Sequence, residues 1–163
     1  MELKRFWRHV VMSPMRARRA FPSATLDAIQ RAVAEQEKVH RGELMFVVEA
    51  ELSSSLLWQG ITPRERARTV FALQGAWNTE ENNGVLIYLL LAERCVEIVA
   101  DRGIAQHVAA SDWQAICRMM EGHFAAGRYE EGALAGVRAA SDLLARHFPG
   151  PGSGELADRP VLI

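Results

Sequence analysis

Val85-Leu86-Ile87-Tyr88-Leu89-Leu90-Leu91-Ala92 is the longest unbroken apolar run in the chain, and the rest of the architecture is arranged around it. A strand exposed on one face alternates polar and apolar residues, whereas a strand covered on both faces need not. The run therefore reads as the central strand of a sheet with helices on either side. A bilayer span takes about 20 apolar residues, so the segment is far too short to be one.

After this run, Glu93-Arg94 reads as a tight turn, although it lacks the glycine or asparagine usual there. Cys95–Ala100 is then an antiparallel partner strand. With a two-residue turn, Val85 faces Arg102 and Leu86 faces Asp101. On the other side, Thr62-Pro63-Arg64-Glu65 sets a capping hydroxyl, a proline at the first helical position and a glutamate at the third. That helix carries Ala67, Val70 and Phe71 and ends in the polar run Asn78-Thr79-Glu80-Glu81-Asn82-Asn83-Gly84. Ahead of it, Ser53–Gly60 reads as a loop and Glu43–Leu52 as a strand. Leu44, Phe46, Val48 and Ala50 share one face of that strand; Met45, Val47, Glu49 and Glu51 share the other. The second face is the more polar, which places the strand towards the sheet edge. A strand–helix–strand connection makes it parallel to Val85–Ala92.

The flanks read as helices. Residues 1–12 form one short helix with Leu3, Phe6, Trp7 and Val10 at helical spacing, interrupted at Ser13-Pro14. After Phe21-Pro22, Ser23 or Thr25 caps a helix bearing Leu26, Ile29, Val33 and Val39. It is expected to end near His40, with Gly42 just beyond its end. Ser111-Asp112-Trp113-Gln114 reads as a second capping box, opening a helix with Trp113, Ile116, Cys117, Met120 and Phe124 on one face. Gly127-Arg128 breaks it, and a last helix from about Tyr129 to Phe148 buries Leu134, Val137, Leu144 and Phe148. The expected class is α/β: a small mixed β-sheet, made of a parallel pair plus an antiparallel hairpin strand, sandwiched between helices. Three parts follow: a basic amphipathic arm (1–20), the α/β domain (21–148) and a C-terminal tail (149–163) that composition marks as a flexible extension.

A chain of 163 residues with 49% apolar and 24% charged side chains has ordinary globular composition and suits one domain. The net charge of −1 argues against a protein built to bind nucleic acid. It hides an asymmetry. Lys4, Arg5, Arg8, Arg16, Arg18 and Arg19 stand against Glu2 in the first 20 residues, a net of +5, which leaves −6 for the remainder. Cys95 and Cys117 lie on different apolar segments and read as reduced core residues. The start MELKRFWRHVVMSPM has neither the apolar segment nor the cleavage site of a secretory leader, so a cytoplasmic location is expected.

The hairpin and the parallel pair together predict a site. The hairpin sets Asn82-Asn83-Gly84 beside Asp101-Arg102-Gly103, and the parallel pairing brings Glu43 in at the same rim. Asn82, Asn83, Asp101 and Glu43 then gather amide, carboxylate and loop carbonyl oxygens, a donor set suited to Ca²⁺ or Mg²⁺. The same residues also have a purely structural reading. Asn-Asn-Gly is good turn chemistry, Asp101 can cap Gly103–Val108, and Glu43 can be solvated.

Trp77-Asn78-Thr79-Glu80-Glu81-Asn82-Asn83-Gly84-Val85-Leu86-Ile87-Tyr88, followed by Val96-Glu97-Ile98-Val99-Ala100-Asp101-Arg102-Gly103-Ile104, resembles the TPM domain family, and within it the bacterial members without a signal peptide. His40-Arg41-Gly42-Glu43 and Gly127-Arg128-Tyr129-Glu130-Glu131-Gly132 add to the likeness, which covers roughly residues 20–148. The resemblance implies a small mixed sheet between helices, divalent-cation binding in several members and acid-phosphatase activity in some. Carried onto this chain, it points to Asn82, Asn83 and Asp101, and more weakly to Glu43. Asn78 departs from the pattern, since aspartate is expected after this tryptophan, and one fewer negative charge weakens a cation site.

Other chemistry finds less footing. A metal-assisted phosphatase would use Asp101 as base or nucleophile and Arg102 to clamp phosphate; as a structural residue, Arg102 is a surface cation on a turn. No nucleophile motif is present, and Ser53-Ser54-Ser55 has no nearby histidine motif. His9, His40, His107, His123 and His147 form no ligand pair and read as structural. No glycine-rich loop follows Val85–Ala92, so no nucleotide or organic cofactor is expected. The arm, with Phe6 and Trp7 among Lys4, Arg5, Arg8 and His9, has two readings. It docks on the acidic body, binds a protein partner or simply stays solvated, or it makes peripheral contact with an anionic membrane, where each basic residue contributes about 1 kcal/mol.

Overall fold

The computed structural model describes residues 3–163. Helices α1 (Leu3–Val11), α2 (Pro14–Ala20) and α3 (Ser23–Gln36) lead into strand β1 (Glu43–Glu49). Then come α4 (Ser54–Trp58), α5 (Pro63–Leu73), β2 (Gly84–Leu90), β3 (Cys95–Ala100), α6 (Arg102–Ala105), α7 (Ala110–Ala125), α8 (Tyr129–His147) and β4 (Val161–Leu162). The sheet order is β3-β2-β1-β4, with β2 antiparallel to β3 and parallel to β1, and β1 parallel to β4. This is the expected mixed sheet between helices, with one strand more.

The two faces of β1 follow the alternation read from the sequence. Leu44, Phe46 and Val48 join Val85, Ile87 and Leu89 under α3, α7 and α8, where Ile29, Val33, Met120, Phe124, Val137 and Leu144 close the larger core. Met45 and Val47 join Leu86, Tyr88 and Leu90 in the smaller core beneath Leu57, Ala67 and Val70 of α4 and α5. Both cores bury the central strands fully, as an apolar run without alternation requires. The Thr62 hydroxyl and the Glu65 carboxylate close the α5 terminus reciprocally, as the capping box predicted. No helix among the described residues is long and apolar enough to cross a membrane.

Several expectations are corrected. The hairpin closes earlier than a two-residue turn would allow, with Leu90 opposite Cys95 and Val85 opposite Ala100. The cause lies across the sheet: Leu91 N and Ala92 N donate to Glu49 O and Ala50 O at 2.9 and 3.0 Å, so these residues stay with β1. The slip is two residues, which keeps every side chain on its face. β1 is interior, because the tail supplies β4 at its outer side. The segment 149–163 is thus no free extension in its fold: Ile163 N donates to Val48 O and Ala50 N to Ile163 O.

Helix α3 stops at Gln36, not near His40, and Val39 is exposed. Gly42 is needed for closeness, not for a helix end; a Cβ there would lie 2.5 Å from Leu144 Cδ2. Ser54–Trp58, expected as loop, forms a helical turn capped by the Ser53 hydroxyl. Helix α7 starts at Ala110 with Ala109 at its cap and no side-chain cap bond, so Ser111 falls inside the first turn. Val108 before the cap and Trp113 in the first turn are both buried in the larger core, the arrangement of a hydrophobic staple, and this sets the start in place of the hydroxyl.

Candidate functional site

The first residues of β1 and β2 and the residues after β3 meet at one rim. Glu43 N donates to Asn83 O at 3.3 Å, Asp101 N to Gly84 O at 2.9 Å and Gly103 N to Asn82 O at 2.9 Å. Backbone hydrogen bonds therefore bring together the segments carrying Glu43, Asn82, Asn83 and Asp101, although the hairpin register differs from the expected one. Two glycines seat the loop. A Cβ on Gly84 would lie 1.9 Å from Ala76 O, and one on Gly103 would lie 2.5 Å from both Glu81 O and Asn82 O.

The side chains at this rim have separate partners. Asn82 holds a left-handed φ of 52°, and its Oδ1 accepts from Arg102 Nε at 3.3 Å. Asn83 is 2% exposed; its amide N–H donates to Thr79 Oγ1 at 3.0 Å and its Nδ2 to Arg41 O at 2.7 Å. Asp101 caps α6, its Oδ1 accepting from Arg102 N at 2.8 Å. Two oxygens remain: Asn83 Oδ1 and Asp101 Oδ2 are buried and have no hydrogen-bond partner among the described residues.

Glu43 behaves differently. It is fully buried, not solvated, and both its oxygens are taken by the tail. Gly154 N and Ser153 Oγ donate to Oε1 at 3.0 and 3.3 Å, and Leu156 N donates to Oε2 at 3.1 Å. The structure thus places Glu43 at the rim but commits its carboxylate to residues 153–156.

Two rim residues escaped the sequence reading as site groups. Glu37 lies just past α3 and accepts from Leu44 N at 3.2 Å. Burial pushes its carboxyl up to about 8, against the pull of the Leu44 N–H, with the charges of Glu43 and Asp158 adding to the rise. His40 is fully buried, and burial holds its ring below the usual range. Its Nδ1 lies 2.9 Å from Gly42 O, which can only accept, so Nδ1 carries the proton and Nε2 keeps a lone pair without a partner among the described residues. Both were assigned to a helix that in fact ends at Gln36; the one signal in the sequence was His40 in the run His40-Arg41-Gly42-Glu43.

Do these groups suit a divalent cation? One carboxylate oxygen and one amide oxygen are buried and unengaged, which favours it. Against a dense anionic cage stand the Arg102 guanidinium on Asn82, the committed Glu43, and Asn78 in place of the expected aspartate. Among the described residues, no three His, Cys, Asp or Glu side chains cluster to hold a metal. A cation that keeps much of its water, as Mg²⁺ does with one or two carboxylates, would ask the least of such a donor set.

Comparison with known proteins agrees with the architecture. Residues 17–143 match the family described as TPM domain. The solution structure of the BA42 protein from the psychrophilic bacterium Bizionia argentinensis is similar, with a TM-score of 0.75 and 27% identity over 86% of this chain and 94% of that one. The N-terminal domain of a P. gingivalis protein shares the fold, with a TM-score of 0.59 and 24% identity over 77% of this chain and 78% of that one. No curated protein matches the sequence.

Proposed function

The chain belongs to the TPM domain family, and on that premise we propose that it binds a divalent cation, Ca²⁺ or Mg²⁺, at the rim of Asn82, Asn83 and Asp101. The observation that supports this reading is the pair of buried, unpartnered oxygens, Asn83 Oδ1 and Asp101 Oδ2. A buried acceptor without a donor is costly, and a cation with its water satisfies it. Asp101 supplies the charge and Asn83 a neutral oxygen; loop carbonyls and water complete the shell. With Asp101 as the one carboxylate on offer the affinity is expected to be weak, roughly 10⁻⁴–10⁻³ M, because Ca²⁺ affinity follows the charge count of the ligands.

Calcium and magnesium titrations followed by amide NMR test the reading. Signals from residues 79–84 and 101–104 are expected to move, and Asp101→Asn to abolish the movement. No change at millimolar ion removes the proposal.

A second reading uses the same rim for metal-assisted phosphomonoester hydrolysis. What favours it is the exposed Arg102 guanidinium beside Asp101 and Asn82, held only through Nε among the described residues. Turnover of a generic phosphomonoester should then be lost in Asp101→Ala and kept in His147→Ala. Activity that survives Asp101→Ala belongs to a contaminant. A cytoplasmic location remains part of this reading.

A further inference from the structure

At the far end of β2 from the rim, α1 lies across the β2–β3 turn. One side of α1 anchors it. Arg5 Nε and His9 Nε2 reach Glu93 Oε1 at 2.8 and 2.9 Å, Arg5 Nη2 donates to Ile61 O at 2.7 Å, and Leu52 N donates to His9 Nδ1 at 2.9 Å. The other side, carrying Leu3, Trp7, Val10 and Val11, is left more than half exposed. Soluble proteins seldom leave so many large apolar side chains together on one short helix without a use for them.

Between α1, α2, the β2–β3 turn and Tyr129 runs a groove of about 950 Å³. Leu3, Trp7, Val11, Met12, Leu91 and Tyr129 give it apolar walls, and Lys4, Arg8, Arg16 and Arg94 give it four cations. Among the described residues the single acid of the lining is Glu93, which is already paired with Arg5 and lies in hydrogen-bond contact with His9. None of the four cations has an ion-pair partner among the described residues. Arg94 also holds a left-handed φ of 50°, a conformation unfavourable for a long side chain, and lines the groove from there.

We propose that this groove binds a single-chain anionic amphiphile: an acyl chain ending in a carboxylate or phosphate. The apolar walls take the chain and the four cations take the head group. The volume lies in the span of small-molecule pockets, roughly 300–1,000 Å³. A concave site with separate apolar and cationic parts selects a molecule that has both. A simple anion would leave the apolar walls bare, and a neutral chain would leave the cations unmatched. The site lies apart from the rim and does not depend on cation binding there.

Calorimetric titration of the full chain with dodecyl phosphate, kept below its micelle concentration, tests the proposal. Saturable one-to-one binding is expected, weakening as salt rises. Arg8→Glu and Arg94→Glu should each weaken it tenfold or more while the far-ultraviolet circular dichroism stays unchanged. Arg94→Gly, which relaxes the backbone while removing the cation, should weaken it similarly. Equal affinity for dodecyltrimethylammonium or for inorganic phosphate would overturn the proposal. So would affinity unchanged in all three variants, or binding seen only with phosphatidylglycerol vesicles and never with the monomeric amphiphile.

Discussion

The buried ring of His9 bridges two distant parts of the chain: its Nε2 lies 2.9 Å from Glu93 Oε1, and its Nδ1 accepts the Leu52 amide N–H at 2.9 Å. An Nδ1 that accepts leaves the proton on Nε2, so the ring donates to the carboxylate in one tautomer only. This contact and the Arg5–Glu93 pair dock the N-terminal arm on the body.

His9→Ala should therefore cost about 2–4 kcal/mol, because it strands a buried amide and weakens a half-buried carboxylate pair. Hydrogen exchange at Leu52 should accelerate. Burial pushes the Glu93 carboxyl up, but the hydrogen bonds from His9 and Arg5 and the Arg5 charge outweigh it and hold it below its ordinary 4.5. A depressed carboxyl contributes stability above its unfolded value and loses it as pH falls through the folded one. Glu93→Gln should flatten the stability profile below pH 4.5. An unchanged melting temperature and Leu52 exchange rate in His9→Ala would show that the arm is held by other contacts.

Glu37 works in the opposite direction. Its carboxyl sits near 8 in the fold against 4.5 when exposed, chiefly through burial. The folded chain therefore holds the proton more tightly, and this group's contribution is full below 4.5 and falls as pH rises to 8. Glu37→Gln keeps an acceptor for Leu44 N–H and removes the charge. Thermal melts should show the variant more stable than the parent above pH 8, with a smaller fall in stability across that window. A parent profile that rises over the window contradicts this assignment.

The tail is a structural member of the fold. Truncation after Gly152 removes the Ser153, Gly154 and Leu156 donors from a fully buried Glu43 and bares the edge of β1. A loss of about 3–5 kcal/mol is expected, together with concentration-dependent association through the open edge. Adding Glu43→Gln to the truncated chain should recover part of the loss by removing the unpaired charge. Equal denaturation midpoints for the full and shortened chains would mean that the strap contributes nothing.

Gly84→Ala and Gly103→Ala press a methyl group onto backbone carbonyls of the loop that carries Asn82 and Asn83. Each should destabilise by about 1–3 kcal/mol. The pair should fall short of additive, since the first substitution already displaces the shared loop. Amide shifts of Asn82 and Asn83 report the displacement; variants that melt like the parent would show that the loop yields freely.

The candidate rim was legible because two local patterns overlap. The run Val85–Ala92 with its hairpin partner sets the loop beside Asp101, and the intervening helix makes β1 parallel, which brings Glu43 to the same end. An error of two residues in the hairpin left this intact, since it preserved both faces and both ends. What stayed hidden was the state of each oxygen: that Asp101 Oδ2 is buried with no partner among the described residues, that Arg102 reaches Asn82, and that Glu43 faces the tail.

From its own order of residues, the chain marked the two central strands, their hairpin partner and the longer flanking helices, and showed that Val85–Ala92 is covered on both sides. Those properties follow from spacing and side-chain type. Long-range contacts, invisible in local pattern, set β4 into the sheet, dock the arm through His9, and leave particular acceptors at the rim without a partner among the described residues. The physical reason is the chemistry of the contacts. The tail holds Glu43 largely through backbone N–H groups, which every residue but proline carries, and no pattern of side chains can announce a bond that nearly any sequence could make.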